Sequence, residues 1–280
     1  MSRALVLGGG GIAGIAWEIG LLAGLADQGV DVGAADLVVG TSAGSVVGAL
    51  LRAGRPLPEL YESQLAPVHG SEIDVEFDGT AMMTAFAQAL AGVTDQQEAR
   101  SRIGDLALGA DTVPEADRRA VIAGRLGDAD WPARDLVVTA VDTADGEFVR
   151  LDPSSGVSLL DAVAASCAVP SVWPPMTVGG RRLMDGGMRS ATNADLAAGH
   201  DRVLVVAPLP GMPQNPLGPS FPDELATLRR TGAVHVVTAD QRALAAFGTN
   251  PLSPRTREPS ARAGRAQAAD ELAAVAEFWG

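Results

Sequence analysis

The chain has 280 residues, 47% of them hydrophobic and 20% charged, and its 34 acidic against 21 basic residues give a formal net charge of −13. A chain this apolar can bury a large core, which excludes wholesale disorder, and the acidic balance excludes a nucleic-acid binder and docking on anionic lipid by charge alone. All 21 basic residues are arginine, which removes a Schiff-base lysine, a Walker-type phosphate lysine and a Ser-Lys dyad.

Residues 4–7 form a short apolar run that ends in four glycines, the pattern of a buried parallel strand. Residues 12–28 follow as a helix, with Ile15, Ile19, Leu22 and Leu25 at helical spacing and Gly29 at its end. Residues 36–39 predict a second buried strand and 45–53 a second helix, closed by Gly54 and Pro56. Strand, helix, strand, helix predicts an α/β fold of three layers, with a mostly parallel central sheet flanked by helices. Residues 57–132 are less regular, with helical patches at 81–92 and 115–126, and read as a helical cap. Residues 136–141 predict another strand. Asp145-Gly146 marks a hairpin whose second arm is 147–151. Residues 158–165 are helical, and Pro170, Pro174 and Pro175 then set a loop. Two further apolar strands are expected at 203–207 and 234–238, an exposed Pro/Arg-rich connection at 251–265, and a closing helix from 268 to 279. The chain reads as one domain, with its core at 1–56 and 133–250, the cap at about 57–132 and a C-terminal helix at about 266–280.

Cys167 is the single cysteine, which excludes an intramolecular disulfide and a cysteine zinc site; it reads as a small buried thiol. The apolar run near Met1 is too short for a signal-peptide core and has no cleavage-like site, and no run of about 18 apolar residues predicts a membrane span. A cytoplasmic protein with transient membrane contact is the expectation. No cofactor and no metal are expected.

Three loops carry chemistry. Gly40-Thr41-Ser42-Ala43-Gly44 lies between a β-branched strand and a helix, the setting of a nucleophile elbow. Small residues at Gly40 and Gly44 let the chain reverse sharply, and Ser42 then presents its hydroxyl above a helix N-terminus. The second loop runs from Gly8 to Gly14. Gly9, Gly11 and Gly14 also match G-x-G-x-x-G, the dinucleotide fingerprint. That reading wants an acid at the end of the next strand, where this chain has Val39-Gly40-Thr41 instead. An oxyanion hole accounts for both loops, with donors among Gly9, Gly10, Gly11 and Ala43. The third is Asp185-Gly186-Gly187, after a short strand.

A serine nucleophile needs a base. The histidines are His69 in the cap, His200 in a turn and His235 inside an apolar strand, and none is well placed. A Ser42–Asp185 dyad is the better reading, provided burial raises the aspartate's pKa from its usual value of about 3.9. Met82, Met83 and Phe86 read first as core and second as an apolar strip facing lipid.

These three loops, in this order, resemble the patatin-like phospholipase family. The resemblance covers about residues 3–210 and includes Ser166-Cys167-Ala168-Val169-Pro170, Trp173-Pro174-Pro175 and Asn193. It implies a serine lipid acyl hydrolase with Ser42 and Asp185 as the dyad, a lipid or ester substrate, no cofactor and peripheral membrane contact. The family's usual basic residue before the last glycine of the oxyanion loop is replaced here by Ala13. With no basic stretch elsewhere, this weighs toward a neutral ester. Two other classes stay open on the residues alone: a catalytically silent lipid-binding scaffold of the same fold and, from the glycine fingerprint, a nucleotide-binding oxidoreductase.

Overall fold

The computed structural model describes residues 1–67, 72–211 and 213–280. Strands β1 (Arg3–Leu7), β2 (Leu37–Gly40), β3 (Asp135–Asp142), β4 (Phe148–Leu151), β5 (Met176–Val178), β6 (Arg181–Asp185), β7 (Arg202–Ala207) and β8 (Ala233–Thr238) form one sheet in the order β5-β6-β3-β2-β1-β7-β8, with β4 paired to β3. The pairs joining β3, β2, β1, β7 and β8 are parallel. The pairs β3–β4, β3–β6 and β5–β6 are antiparallel.

The parallel strands are apolar on both faces because both are covered. Leu5, Leu7, Val38, Val138, Leu204 and Val206 face the larger core, under α1 (Gly11–Asp27), α2 (Ala43–Arg52), α7 (Leu159–Ser166) and α10 (Arg257–Trp279). The alternate residues Ala4, Val6, Val39, Val137, Val203 and Val205 pack on the other side with Leu228 of α8 (Phe221–Arg229). Of the four helices in the stretch read as a cap, α3 (Leu57–Leu65) lies against α1 and α10, and α6 (Glu115–Leu126) against α7 and α2. Helices α4 (Gly79–Ala89) and α5 (Gln96–Gly109) pack on each other, in a third cluster with Val141 and Met184.

The 251–265 stretch departs from its expectation. It is not an exposed connection, because α10 starts at Arg257 and buries Ser260, Ala261 and Gly264. Small residues make this contact. A Cβ on Gly264 would stand 2.2 Å from the Trp17 carbonyl oxygen, and one on Gly20 would stand 2.1 Å from that of Ala261. Two helix backbones this close need no large apolar side chains, so the hydrophobic period that marks most helices is missing. Arg257, Arg262 and Arg265 of the segment reach the Ser63 carbonyl, Glu258 and Asp27. Helices α5, α8 and α9 (Gln241–Phe247) and strand β5 were likewise not legible as elements. No described helix is long and apolar enough to cross a membrane.

Candidate active site

Strand β2 ends at Gly40 and α2 starts at Ala43, so the chain reverses within two residues. Ser42 takes φ 51° and ψ −113°, a conformation that costs a non-glycine residue roughly 1–3 kcal/mol. Its neighbours hold it there. Its N–H donates to Ser166 Oγ at 2.9 Å, and its carbonyl accepts from Ser45 Oγ at 2.6 Å and Cys167 Sγ at 3.3 Å. Gly44 is required by close approach, since a Cβ there would lie 2.0 Å from the Leu7 carbonyl oxygen.

The glycine loop connects β1 to α1. Its four residues do not play one role. The Gly9 N–H is donated to the Ala191 carbonyl at 2.7 Å, so Gly9 is removed from the expected donor set. The N–H groups of Gly10, Gly11 and Ala43 have no acceptor among the described residues. Gly11 and Ala43 are the first residues of α1 and α2, where free N–H groups and the helix dipole favour negative charge. Gly11 has φ +64°, which suits glycine alone at no cost. At Gly14 a Cβ would touch Ala43 Cβ at 3.3 Å, so this glycine sets how closely the two helix starts meet. Ala13 is fully buried, and its N–H is held by the Pro251 carbonyl at 2.9 Å.

Asp185 ends β6, opposite Ala140 of β3, and is 2% exposed. Its N–H donates to the Ala168 carbonyl at 3.0 Å and its Oδ1 accepts the Gly187 N–H at 2.7 Å. Burial pushes its pKa up to about 6. Contact with the Ser42 hydroxyl, the Gly187 N–H and the positive field of Arg118 pull the other way. The contact with Ser42 is looser than a formed hydrogen bond, and Oδ2 is buried without a partner at bonding geometry. Such contacts commonly tighten only when substrate is bound. Gly186 packs on Thr139, where a Cβ would lie 2.2 Å from Oγ1. Asn193, at φ 48°, donates through Nδ2 to Thr41 Oγ1 at 3.0 Å, to the Gly186 carbonyl at 3.2 Å and to the Ser190 carbonyl at 2.8 Å. One buried amide therefore ties the serine loop to the aspartate loop.

Neither described histidine comes near. His235 lies on β8, three strands from β2, beside Phe278 and with Glu271 at 3.9 Å. Three strand spacings amount to roughly 14 Å. His200 precedes β7, at the end of the sheet opposite Ser42, with Nδ1 at 3.0 Å from the Ala197 carbonyl. His69 lies outside the described residues.

Residues 5–198, more than half of the chain, match the family model described as patatin-like phospholipase. The chain belongs to the patatin-like phospholipase family. No curated protein matches the chain. Among solved structures it is similar to VipD from Legionella pneumophila, with 13% identity and a TM-score of 0.45 over 98% of this chain and 67% of that one. It is also similar to the type III effector protein ExoU, with 16% identity and a TM-score of 0.39 over 97% of this chain and 53% of that one. The family assignment rests on the sequence match.

The space around this patatin-like site is divided. A cavity of about 20 Å³ adjoins Ser42, room for about one water molecule. Gly11, Ala43, Cys167, Trp173 and Leu252 line it, together with Arg118 and Arg125 of α6. A second cavity, of about 410 Å³, shares Ile12, Ile15 and Arg125 with the first and adds Leu50, Leu60, Arg55 and Arg257. A third, of about 490 Å³ and mostly apolar, is lined by Met82, Met83, Phe86, Leu90, Gly187 and Ala191. The lack of a basic stretch in the sequence therefore does not describe the site. Folding gathers arginines that lie far apart along the chain. A faint signal existed, since Arg118 and Arg125 are seven apart and share one helix face with the buried Val121 and Ile122.

Proposed function

We propose that the protein is a serine lipid acyl hydrolase that works through an acyl-enzyme. What carries this reading is the meeting of Ser42 and Asp185 in one buried site beneath two helix starts with unoccupied N–H groups. Ser42 Oγ bonds to the ester carbonyl carbon as Asp185 takes the hydroxyl proton. The carbonyl oxygen gains negative charge and is met by N–H groups of Gly10, Gly11 and Ala43. One such donor is typically worth about 2.7–4 kcal/mol. The ester C–O bond then breaks, the proton passes from Asp185 to the departing alkoxide, and the acyl group remains on Ser42. Water then attacks the acyl carbonyl carbon as Asp185 takes its proton; the bond from that carbon to Ser42 Oγ breaks, Asp185 returns the proton to Ser42 Oγ, and the fatty acid leaves.

The direct test is labelling with a fluorophosphonate and turnover of p-nitrophenyl esters. Wild type is expected to label stoichiometrically and Ser42→Ala not at all. A wild-type protein that neither labels nor turns over any ester, and that retains lipid on purification, would instead favour a silent lipid-binding scaffold. The water-sized space beside Ser42 is what keeps that second reading in play.

Asp185 acts as a base only when deprotonated. With its pKa raised to about 6, kcat/KM is expected to be level above that pH and to fall about tenfold per pH unit below it. A profile level down to pH 4.5 would show that the ascending limb belongs to an ordinary carboxylate, or that Asp185 is not the base.

Helix α4 supports contact with lipid. Phe86 is buried, while Met83 is 45% exposed at the rim of the 490 Å³ cavity. Met83→Asp is expected to lower turnover of liposomal substrate about tenfold, the scale of one apolar side chain kept from burial. Turnover of a soluble short-chain ester should fall far less. Equal losses on both substrates would place Met83 in the fold rather than at the lipid surface.

A further inference from the structure

Three parts of the site are anchored on two consecutive residues. The Cys167 carbonyl accepts Arg118 Nη2 at 3.5 Å, and the next carbonyl, that of Ala168, accepts the Asp185 N–H at 3.0 Å. Cys167 Sγ donates to the Ser42 carbonyl at 3.3 Å. Arg118 reaches this point from α6 and is 4% exposed. Its guanidinium lies over the Trp173 ring, 3.9 Å from the centre, which fixes where the charge sits. It lines the water-sized cavity together with Ser42, Gly11 and Ala43. That space has no room for an anionic group of a substrate, so the partner of Arg118 belongs to the protein.

The other charges nearby oppose one another or are screened. Arg125 holds Glu72 through Nε and Nη2 at 2.9 and 2.7 Å, and the two act on Arg118 with opposite sign. Burial pushes the Cys167 thiol up, so it is neutral. Strand β3 presents Ala140 opposite Asp185 and Thr139 against Gly186, neither of them charged. The other ion pairs of α6 and β6, Arg119–Asp161 and Arg182–Glu115, are partly exposed to water. One cation, Arg118, and one anion, Asp185, remain, each in the field of the other. Burial raises Asp185 to about 6 and lowers Arg118 to about 10, so both are charged between those limits.

The reaction proposed above conserves this charge. Before attack the negative charge is on Asp185. After Asp185 has taken the Ser42 proton, the charge is on the former carbonyl oxygen. The N–H groups of Gly10, Gly11 and Ala43 meet only the second position. The first is buried, where an uncompensated carboxylate takes up a proton and ceases to be a base.

We propose that Arg118 is a positioning residue for the dyad, the fixed counter-ion that keeps Asp185 ionised until it accepts the Ser42 proton. The inference rests on the hydrolase reading above. Stacking on Trp173 suits a planar guanidinium and holds the charge near the carboxylate without a contact ion pair, which would occupy the oxygens that must take the proton.

The test is the pH dependence of kcat/KM for a soluble p-nitrophenyl ester. Asp185 works only when deprotonated. Removing a nearby cation disfavours its charged form, so its pKa rises and the ascending limb moves to higher pH. Arg118→Met keeps packing on Trp173, and Arg118→Gln keeps a donor for the Cys167 carbonyl. Each is expected to move the midpoint of the limb up by about one unit or more. The midpoint is the quantity read, because a residue that served only the fold would lower the plateau and leave the midpoint in place. An unmoved midpoint in both variants would overturn the proposal. Arg118→Lys retains the charge, and its midpoint is expected within about half a unit of wild type. A lysine variant that titrates like the methionine variant would overturn the proposal as well.

A second measurement needs no turnover. In the Ser42→Ala protein the Asp185 carboxyl can be followed by infrared absorption, with Ser42→Ala/Asp185→Asn as the blank. Adding Arg118→Gln is expected to raise its midpoint by about one unit or more. A titration that Arg118→Gln does not move, in an enzyme with Ser42-dependent turnover, would overturn this inference and leave the hydrolase reading standing. Absence of Ser42-dependent turnover of every ester would overturn both.

Discussion

Ser42→Ala is expected to lower ester hydrolysis by at least about 10⁴-fold and leave the fold intact, because the residual rate comes only from binding and the oxyanion donors. The backbone at position 42 gives this substitution an uncommon companion. Ser42 sits at φ 51°, and alanine keeps the strain because it keeps a Cβ. Glycine removes it. Relief of about 1–3 kcal/mol, less the roughly 0.4–1 kcal/mol that glycine adds to unfolded-chain freedom, leaves a net gain of about 1 kcal/mol. Ser42→Gly should then be as inactive as Ser42→Ala yet melt a few degrees higher, at roughly 2–4 °C per kcal/mol for a chain of this size. Thermal unfolding of the three proteins in parallel checks this. Equal melting temperatures for the alanine and glycine variants would mean that the elbow stores no strain.

Gly44→Ala is expected to cost more than about 4 kcal/mol and to abolish activity with it. The added methyl group would lie 2.0 Å from the Leu7 carbonyl oxygen and 2.7 Å from Leu7 Cβ. Leu7 cannot give way. It is paired to Gly40 on one side and Val206 on the other, and its carbonyl also holds the Thr41 N–H at 3.0 Å. Overpacking of this kind costs typically 1–3 kcal/mol where neighbours adjust and more where they are fixed. The displacement would reach the glycine loop directly, since that loop begins at the residue after Leu7. Gly54→Ala is the control. Gly54 has φ +74° with nothing within 4 Å of its missing Cβ, so only the conformational penalty of about 1–2 kcal/mol applies. Chemical denaturation should separate the two variants clearly, and a Gly44→Ala protein as stable as Gly54→Ala would refute the close-approach argument.

The parts of this site that were legible in the sequence are those made within a few consecutive residues. Apolar runs ending in small residues mark β1 and β2, and the glycines around Ser42 mark the turn, because backbone sterics act locally. The loop at Asp185 was legible only in combination, since Asp-Gly-Gly after a strand is an ordinary turn until a serine lies opposite. The first half of α10, residues 257–267, was not legible for a related reason. Its contact with α1 uses Gly20, Ala261 and Gly264 in place of an apolar stripe, and small residues carry little hydrophobic period. The donor set was overcounted at Gly9, whose N–H goes to Ala191, a residue far along the chain.

The amino-acid sequence by itself determined the order of the loops, the sharp turn at Ser42 and the family, since each follows from short-range backbone constraints and residue identity. Tertiary structure alone decided which charges surround the serine. An acidic, lysine-free chain with alanine at position 13 pointed to a site without cations. Helix α6, from the stretch that looked least ordered, instead delivers Arg118 and Arg125 to the Ser42 cavity. Net charge sums the whole surface, whereas the field at a buried atom is set by the few groups that packing brings beside it, where water screens least.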